Sequence, residues 1–391
     1  MNRNLLLTGI TLAFALVSQT GMAQNANTTQ KGSLLIYPKI DVRNGTSTWV
    51  RMVNDSKLPV TVKCYYMDVD KNRVDFEFSL TKNQPVLFDA ATGYSTNNSG
   101  RSMNAFPQGA GYPGYGELIC FAVNNEGTES IVHNQLSGTA TVADTRSGVA
   151  NGASEYSAWS FRKSSGGSDG DHGNGNGNGN GNGNGNGNGN GNGNGNGNGN
   201  GNGNGHGNGH GGSDQLEDYD LVLNGSDYDS CPAYLIGQFS PALSPAQGRQ
   251  AYAATTIDIS SCRQDLRQEF ERNYTKLQFD VWKYDETRLT GASHCANSFA
   301  ETTLDGVKTA RQNFSAALLR DAAYYRVQGV ASDQCDSKAK PTGLVGVQTT
   351  QISGLGLVST ELAASNLPAP PPAEGFIRWD PAEEIEAPQV H

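Results

Sequence analysis

Apolar and polar residues alternate along much of the first half of the chain, which is typical of strands that bury one face. Every second residue of 60–66 is Val, Val, Cys or Tyr, and the alternation recurs in 76–80. The segment 118–123 is apolar at every position, which indicates a more central strand. Further strands are expected at 33–40, 48–54, 129–133, 136–143 and 156–161. About seven short strands between turn residues predict an immunoglobulin-like β-sandwich over residues 31–162.

The same pattern resumes in a second region, residues 216–360. Strands are expected there at 220–224, 234–239, 255–260, 276–284, 324–331 and 344–352. Two segments, Arg263–Asn273 and Gly306–Ala322, have apolar residues four apart and are candidates for helices. The fold class is therefore all-β, with two immunoglobulin-like halves. The alternative is one larger composite β-sandwich.

A tract of almost pure Gly-Asn dipeptide lies between the two halves, within residues 163–215. It has nothing apolar to bury and much backbone entropy to lose, so we expect a disordered linker or, in the alternative, a loop insertion. The tail, residues 361–391, combines Pro with acidic residues and is also expected to be disordered. Phe376, Ile377 and Trp379 offer the tail apolar side chains that could dock.

The first residues have the features of a secretory signal: Arg3, a short apolar run over 5–17, and small residues before Gln24. We expect residues 1–23 to be a signal peptide that is cleaved after Ala23. The apolar run is shorter than the roughly 20 residues that span a bilayer, so no transmembrane anchor is expected. The predicted location is the cell surface or extracellular space, with the periplasm as the alternative.

Charge and motifs argue against several classes of function. The formal net charge is −10 and becomes −11 when cleavage removes Arg3. Affinity for phosphate backbones comes mostly from clustered Lys and Arg, so nucleic acid is not an expected partner. One Gly-x-Ser-x-Gly string occurs, at residues 166–170 (GGSDG), but it opens the Gly-rich tract, where no helix is expected to follow the Ser as a nucleophile elbow requires. No other catalytic motif is visible. The chain is therefore not expected to be an enzyme, although paired carboxylates of a hydrolase are spatial and leave no sequence motif.

Six cysteines in an exported chain predict three disulfides. If pairing stays within each half, Cys64 joins Cys120, and three schemes remain for the other four. We expect Cys231 with Cys262 and Cys295 with Cys335, because neighbouring cysteines close with the least reorganisation of the chain. Cys64 and Cys120 both lie on inward parities, so their bond could cross the core of the sandwich.

Several segments, taken together, resemble a family of signal-bearing, β-rich bacterial secreted proteins with no assigned activity. The segments are 76–85 (FEFSLTKNQP), 156–161 (YSAWSF), 227–232 (DYDSCP), 262–268 (CRQDLRQ), 279–282 (FDVW) and 326–331 (RVQGVA). The resemblance covers residues 31–352. It implies export and a β-rich fold, and it carries no reaction. In such relatives the halves are joined without a long Gly-Asn run, which implies that the tract is an embellishment.

Metal and histidine candidates are weak. Asp68, Asp70 and Asn72 place oxygen ligands at alternate positions, as a calcium loop does, but Arg73 stands where that loop needs Gly. A polar hairpin turn is the simpler interpretation, and no other cofactor is expected. Five acidic residues near the end of the tract could also hold calcium, although a solvated acidic stretch is the simpler interpretation: Glu217, Asp218, Asp220, Asp227 and Asp229. Weak binding of a transition metal is considered for His172, His206 and His210, whereas His133 and His294 are expected to have structural roles.

Several aromatic residues lie on outward parities or loops, where packing on a second sheet is the preferred interpretation and a binding surface is the alternative. They are Tyr65, Tyr94, Tyr112, Tyr115, Tyr228, Trp282 and Tyr284. The sequence as a whole predicts a non-catalytic exported protein with a structural, adhesive or matrix role and a cell-surface or extracellular protein or glycan as partner. The alternatives are a glycan- or calcium-binding module and a secreted hydrolase.

Overall fold

Strands dominate the protein. The computed structural model describes residues 25–96, 103–144, 152–165, 219–240, 253–283, 285–305, 319, 323–335, 339–352, 356–364 and 375–381. Strands make up 58% of the structure and helix 1%, so the all-β prediction is confirmed. The predicted signal peptide, the Gly-Asn repeats and nearly all of the helix candidate 306–322 lie outside the described residues. No helix among the described residues has the length and apolarity to cross a bilayer.

The first half is a sandwich of two antiparallel sheets. Its strands are β1 Leu34–Asp41, β2 Thr46–Asn54, β3 Val60–Asp68, β4 Arg73–Leu80, β5 Gln84–Asp89, β6 Tyr115–Val123, β7 Leu136–Asp144, β8 Ala153–Ser157 and β9 Trp159–Phe161. A turn of 3-10 helix, Arg43–Gly45, joins β1 to β2. We call the sheet with the strand order β4-β3-β6-β1-β9 the middle sheet, and the sheet with the order β5-β2-β7-β8 the outer sheet.

The middle sheet is buried on both faces. Leu35 and Tyr37 of β1 belong to a core shared with the outer sheet. Leu34 and Ile36 point to the opposite face of the sheet and belong to a second core, which they form with residues that follow the tract. All residues of 118–123 are buried, which confirms the central strand predicted there. The two halves therefore share the second core, whereas the first core lies almost wholly within the first half.

The second half has one large and one small sheet. Its strands are β10 Leu221–Leu223, β11 Leu235–Phe239, β12 Ala253–Ser261, β13 Arg263–Asp265, β14 Tyr274–Lys283, β15 Arg288–Asn297, β16 Phe299–Thr302, β17 Ala323–Val330, β18 Leu344–Ile352, β19 Gly356–Glu361, β20 Ala363–Ala364 and β21 Gly375–Arg378. The large sheet has the order β19-β18-β12-β16-β15-β14-β17-β11-β20, and the small sheet β10-β21-β13. Because β19 and β20 are consecutive, the segment 356–364 joins the two edges of the large sheet.

The helix candidate Arg263–Asn273 is wrong. Residues 263–265 form β13, which runs parallel to β21. The Asp265 carboxylate accepts hydrogen bonds from the backbone N–H groups of Arg267 and Glu271. Such local bonds compete with helical ones and close a turn after β13. The spacing of Leu266 and Phe270 therefore did not report a helical face.

Part of the tail is ordered, and its apolar residues Phe376, Ile377 and Trp379 dock, as the sequence allowed. Gly375–Arg378 form β21, the central strand of the small sheet. Its Arg378 makes a bidentate, buried ion pair with Asp220, at 3.0 and 2.9 Å. The Trp379 ring packs edge-on against Phe121 of the middle sheet, with centroids 5.0 Å apart. Pairing on both sides of β21 satisfies its backbone, which explains why this short strand docks.

The three predicted disulfides are present: Cys64–Cys120, Cys231–Cys262 and Cys295–Cys335. Cys64 and Cys120 lie directly opposite each other on β3 and β6, with Cα atoms 4.1 Å apart. This bond therefore joins neighbours within the middle sheet, and the expectation that it crosses the core was wrong.

The flanks of the tract lie close together. The described residues on the two sides of the tract belong to one compact unit, and Ser168–Asp218 lie outside the described residues. Within this unit Lys163 forms an antiparallel bridge with Tyr228. The Tyr228 N–H donates to the Val222 carbonyl on its other side, at 3.0 Å. Two strand spacings place Lys163 and Val222 about 10 Å apart.

Candidate functional site: an aromatic and arginine face on the large sheet

Four neighbouring strands of the large sheet, β11, β17, β14 and β15, present a mixed polar and aromatic face. Their inward residues, such as Leu235, Phe279 and Tyr325, belong to the core. The alternate residues point outward, as the pleat requires. We call this outward set the aromatic–arginine face. It comprises Ile236, Gln238, Gln278, Asp280, Trp282, Arg288, Tyr324, Arg326 and Gln328.

A pair of aromatic rings lies near the middle of this face. Trp282 and Tyr324 are directly opposite each other on β14 and β17. Their rings are parallel within 9°, and the centroids are 5.5 Å apart. Stacked cross-strand pairs of this kind stabilise a sheet and hold both rings in place. Tyr324 keeps 42% of its surface exposed, so the pair presents an apolar ridge to solvent.

An Arg–Asp–Arg network lies beside the ring pair. Arg288 and Arg326 each place Nη2 2.6 Å from a different oxygen of Asp280. Burial opposes ionisation of Asp280, but hydrogen bonds to the two guanidinium groups outweigh it and hold the pKa of this carboxyl below its usual range. The Arg326 guanidinium also lies 4.6 Å from the centroid of the Tyr234 ring. Ionised Asp280 therefore fixes both arginines against aromatic side chains.

The aromatic residues singled out in the sequence divide into three groups. Trp282 lies on the outward face. Tyr65 and Tyr228 are fully buried in the core that the two halves share, which agrees with the packing interpretation. Tyr94 and Tyr112 are exposed, and Tyr115 lies beneath Arg43. Tyr284 is outside the described residues. Sequence reasoning missed Tyr324 and Arg326, although their alternation with Tyr325 and Val327 marks them as outward.

The calcium candidates form a hairpin turn between β3 and β4. Asp68 Oδ1 accepts from the backbone N–H groups of Asp70 and Asn72, and Oδ2 accepts from the Asn72 amide. Three hydrogen bonds from the same turn thus occupy the Asp68 carboxylate. Over the described ranges, no three His, Cys, Asp or Glu side chains are grouped to hold a metal ion. The geometry gives these residues a role in closing the turn.

The other acidic and histidine candidates also have structural partners where the structure describes them. Asp220 pairs with Arg378, and Asp229 accepts hydrogen bonds from Gln30 and from the Arg162 backbone. His133 Nε2 lies 2.9 Å from the Asn54 side-chain oxygen. Burial lowers the pKa of His133 and of His294. Asp227 Oδ2 accepts a hydrogen bond from the Val222 backbone N–H at 3.4 Å. The remaining candidates lie outside the described residues: Glu217, Asp218, His172, His206 and His210.

The two halves also contact each other through buried charged side chains, where the middle sheet meets β12 and β13. Lys39 of β1 donates to Asp258 of β12 at 2.7 Å, and both side chains are buried. Burial lowers the pKa of Lys39, but the carboxylates of Asp258, Glu301 and Asp41 outweigh it and raise this pKa. Lys39 is therefore held charged between the halves.

A second polar group continues this contact. Gln264 of β13 donates to both oxygens of Glu117 on β6, at 3.1 and 3.2 Å, and accepts from Lys71 at 3.2 Å. Burial raises the pKa of Glu117 to about 7 and lowers that of Lys71 to about 8. We call Lys39, Asp258, Lys71, Glu117 and Gln264 the interface cluster. The groups of this cluster whose pKa values are shifted most lie in the contact between the two halves.

Comparison with known proteins does not assign the chain to a family. No family model matches it, and no curated protein matches it. A solved structure, that of Thermotoga maritima 1070, is 8% identical and aligns over 33% of this chain and 95% of its own length with a TM-score of 0.23. A likeness at that score supports no statement about fold or function.

Proposed function

We propose that this protein is exported and non-catalytic, and that it has a structural, adhesive or matrix role at the cell surface or in the extracellular space. The observation that carries the proposal is the pairing of all six cysteines in three disulfides. Disulfides form and persist in oxidising compartments. The secretory signal expected at residues 1–23 supports the same location.

The use of the buried charges supports a structural role. Catalytic sites depend on titratable groups with shifted pKa values, but structural ion-pair networks shift them too. Here Asp258 and Glu117 engage Lys39 and Gln264 across the contact between the halves. These groups stabilise one cross-linked unit, which suits a protein that bears load or displays a surface.

Cell fractionation with redox-state mapping tests the location. We expect full-length tagged protein in the medium or on intact cells, with the three pairs found in non-reduced peptide maps. A fraction released only by osmotic shock would indicate the periplasm. Recovery only from cytosol, with free thiols at Cys64 and Cys120, would refute the proposal.

Crosslinking and pull-down from intact cells test the role. The comparison uses the full chain and a variant in which a short Gly-Ser linker replaces residues 166–218. Recovery of an envelope or matrix component by the full chain supports a structural or adhesive role. Turnover of a polysaccharide or peptide substrate, abolished by one carboxylate substitution, would contradict a non-catalytic protein.

The aromatic–arginine face favours a second candidate, a glycan-binding module. Its stacked rings and fixed arginines are a specific observation for that class of ligand.

A further inference from the structure

We propose that the aromatic–arginine face of the large sheet binds a neutral oligosaccharide. The inference rests on the second candidate function, the glycan-binding module, and names its site and its class of ligand, whereas it stands or falls independently of the exported structural role. Cell fractionation decides the location of the protein, whereas a binding measurement on purified protein decides the ligand.

The apolar part of the site is the Trp282–Tyr324 pair. A pyranose ring with equatorial substituents presents a patch of axial C–H bonds, which carry partial positive charge. Such a patch is attracted to the electron-rich face of an aromatic ring and buries apolar area there. Tyr324 lies opposite Gln238 of β11, and the exposed Ile236 lies diagonal to Tyr324, opposite Arg326, so the exposed apolar surface extends beyond one ring.

The polar part of the site is the set of amide and guanidinium groups around the rings. Each guanidinium has five N–H donors, and Asp280 accepts from one nitrogen of Arg288 and one of Arg326. The side chain of Arg288 is 54% exposed, so its other donors can reach sugar hydroxyls. Gln278 and Gln328 lie opposite each other on the same face. Because Asp280 already orders the arginines, binding a hydroxyl costs little additional side-chain entropy.

The size and charge of the face favour a sugar over other ligands. A stable protein–protein contact buries about 800 Å² on each partner around an apolar centre. The exposed apolar side chains here are Ile236, Tyr324 and part of Trp282, which suit one or two sugar rings. Asp280 offsets one of the two arginine charges, and the chain carries a net charge of −10, so a neutral ligand fits better than a polyanion.

Titration of the intact protein with neutral linear hexaoses of β-1,4-linked glucose, mannose and N-acetylglucosamine tests the proposal. We expect saturable binding of at least one hexaose, with a change in tryptophan fluorescence. Trp282→Ala and Tyr324→Ala should each weaken binding by about tenfold or more. Tyr324→Phe, which keeps the ring, should bind nearly as well as the native protein. Arg288→Lys keeps the charge but loses the fork, and should weaken binding several-fold.

Tyr94→Ala is the matched control. Tyr94 is 60% exposed and contacts Trp49 of β2 edge-on, so the substitution removes an exposed aromatic ring beside the outer sheet, away from the proposed site. We expect it to leave binding unchanged. Equal melting temperatures of all variants exclude misfolding. If the alanine variants do not fold, the proposal is tested by comparing Tyr324→Phe, which should bind normally, with Arg288→Lys, which should bind more weakly. Absence of saturable binding by the native protein, binding that survives Trp282→Ala, or equal loss in Tyr94→Ala would each overturn the proposal. Trp282-dependent capture of a protein without any sugar binding would replace the glycan by a protein partner.

Discussion

The two faces of the middle sheet are packed in different ways. Towards the outer sheet the contact is an apolar core with Leu35, Tyr37 and Phe88. Towards the second half there is also an apolar core, but the interface cluster adds buried charges beside it. Apolar packing tolerates small shifts, whereas a buried ion pair requires defined geometry. The comparison suggests that the cluster sets how the halves align, while the cores supply most of the stability.

The largest expected effect on stability comes from breaking the buried ion pair between Lys39 and Asp258. Lys39→Met leaves the Asp258 carboxylate buried without its partner, and should lower the free energy of unfolding by about 3–5 kcal/mol. Urea unfolding at neutral pH measures the loss. The double variant Lys39→Met with Asp258→Leu removes both charges and should regain most of it. A single variant as stable as the native protein would show that the ion pair does not hold the halves together.

Leu34→Ala and Leu35→Ala probe the two apolar cores from adjacent positions of one strand. Both side chains are fully buried, so each variant should lose about 2–4 kcal/mol. The same unfolding measurement, made at two pH values, should give the same loss at each. A much smaller loss for Leu34→Ala than for Leu35→Ala would indicate that the halves do not share a core.

The pH dependence of stability should separate the charged contact from the apolar one. The pKa of Glu117 is raised to about 7, so the native state keeps this proton to a higher pH than the unfolded state does. The resulting stabilisation is present below about pH 4.5 and is lost as the pH rises to 7. Glu117→Gln should remove about 3 kcal/mol of that loss. Leu35→Ala is the control, because it should retain the native slope. An unchanged slope in Glu117→Gln would contradict the assignment.

The smallest expected effect concerns the tract. Lys163 and Val222 are held beside Tyr228, so the tract closes a loop on one unit. Replacing residues 166–218 by a Gly-Ser linker of about 16 residues should raise the free energy of unfolding by about 1 kcal/mol, because a shorter loop costs less closure entropy. Calorimetry should show one transition in both proteins. Two separate transitions in either protein would indicate independent halves.

Local patterns in the sequence predicted the parts of the fold that depend on local chemistry. The apolar run 118–123 indicated a strand buried on both faces, and the spacing of the cysteines gave the three pairs. Strands such as β15 and β19 were missed, because Ser, Thr, Gly and Ala dilute their apolar alternation. The apolar spacing in 263–273 was misread because the partner of β13 is β21, more than a hundred residues away.

The candidate site could be predicted only in part. The parity of β14 placed Trp282 outside, but its contact with Tyr324 depends on β14 and β17 being neighbours in a particular register. The interface cluster was not predictable from single residues. Lys39 and Glu117 look like ordinary surface charges in the sequence, and their burial depends on partners supplied by the other half.

The position of β21 has a consequence for the order of folding. This strand pairs with both β10 and β13 in the small sheet, and it follows both of them by more than a hundred residues. Contacts of such long range form slowly, since a large loop must close first. All strands of the middle sheet lie before residue 162, so this sheet can form while the rest of the chain is still emerging. We therefore expect Trp379 to cover Phe121 late, and earlier intermediates to leave that patch of the middle sheet open to chaperones.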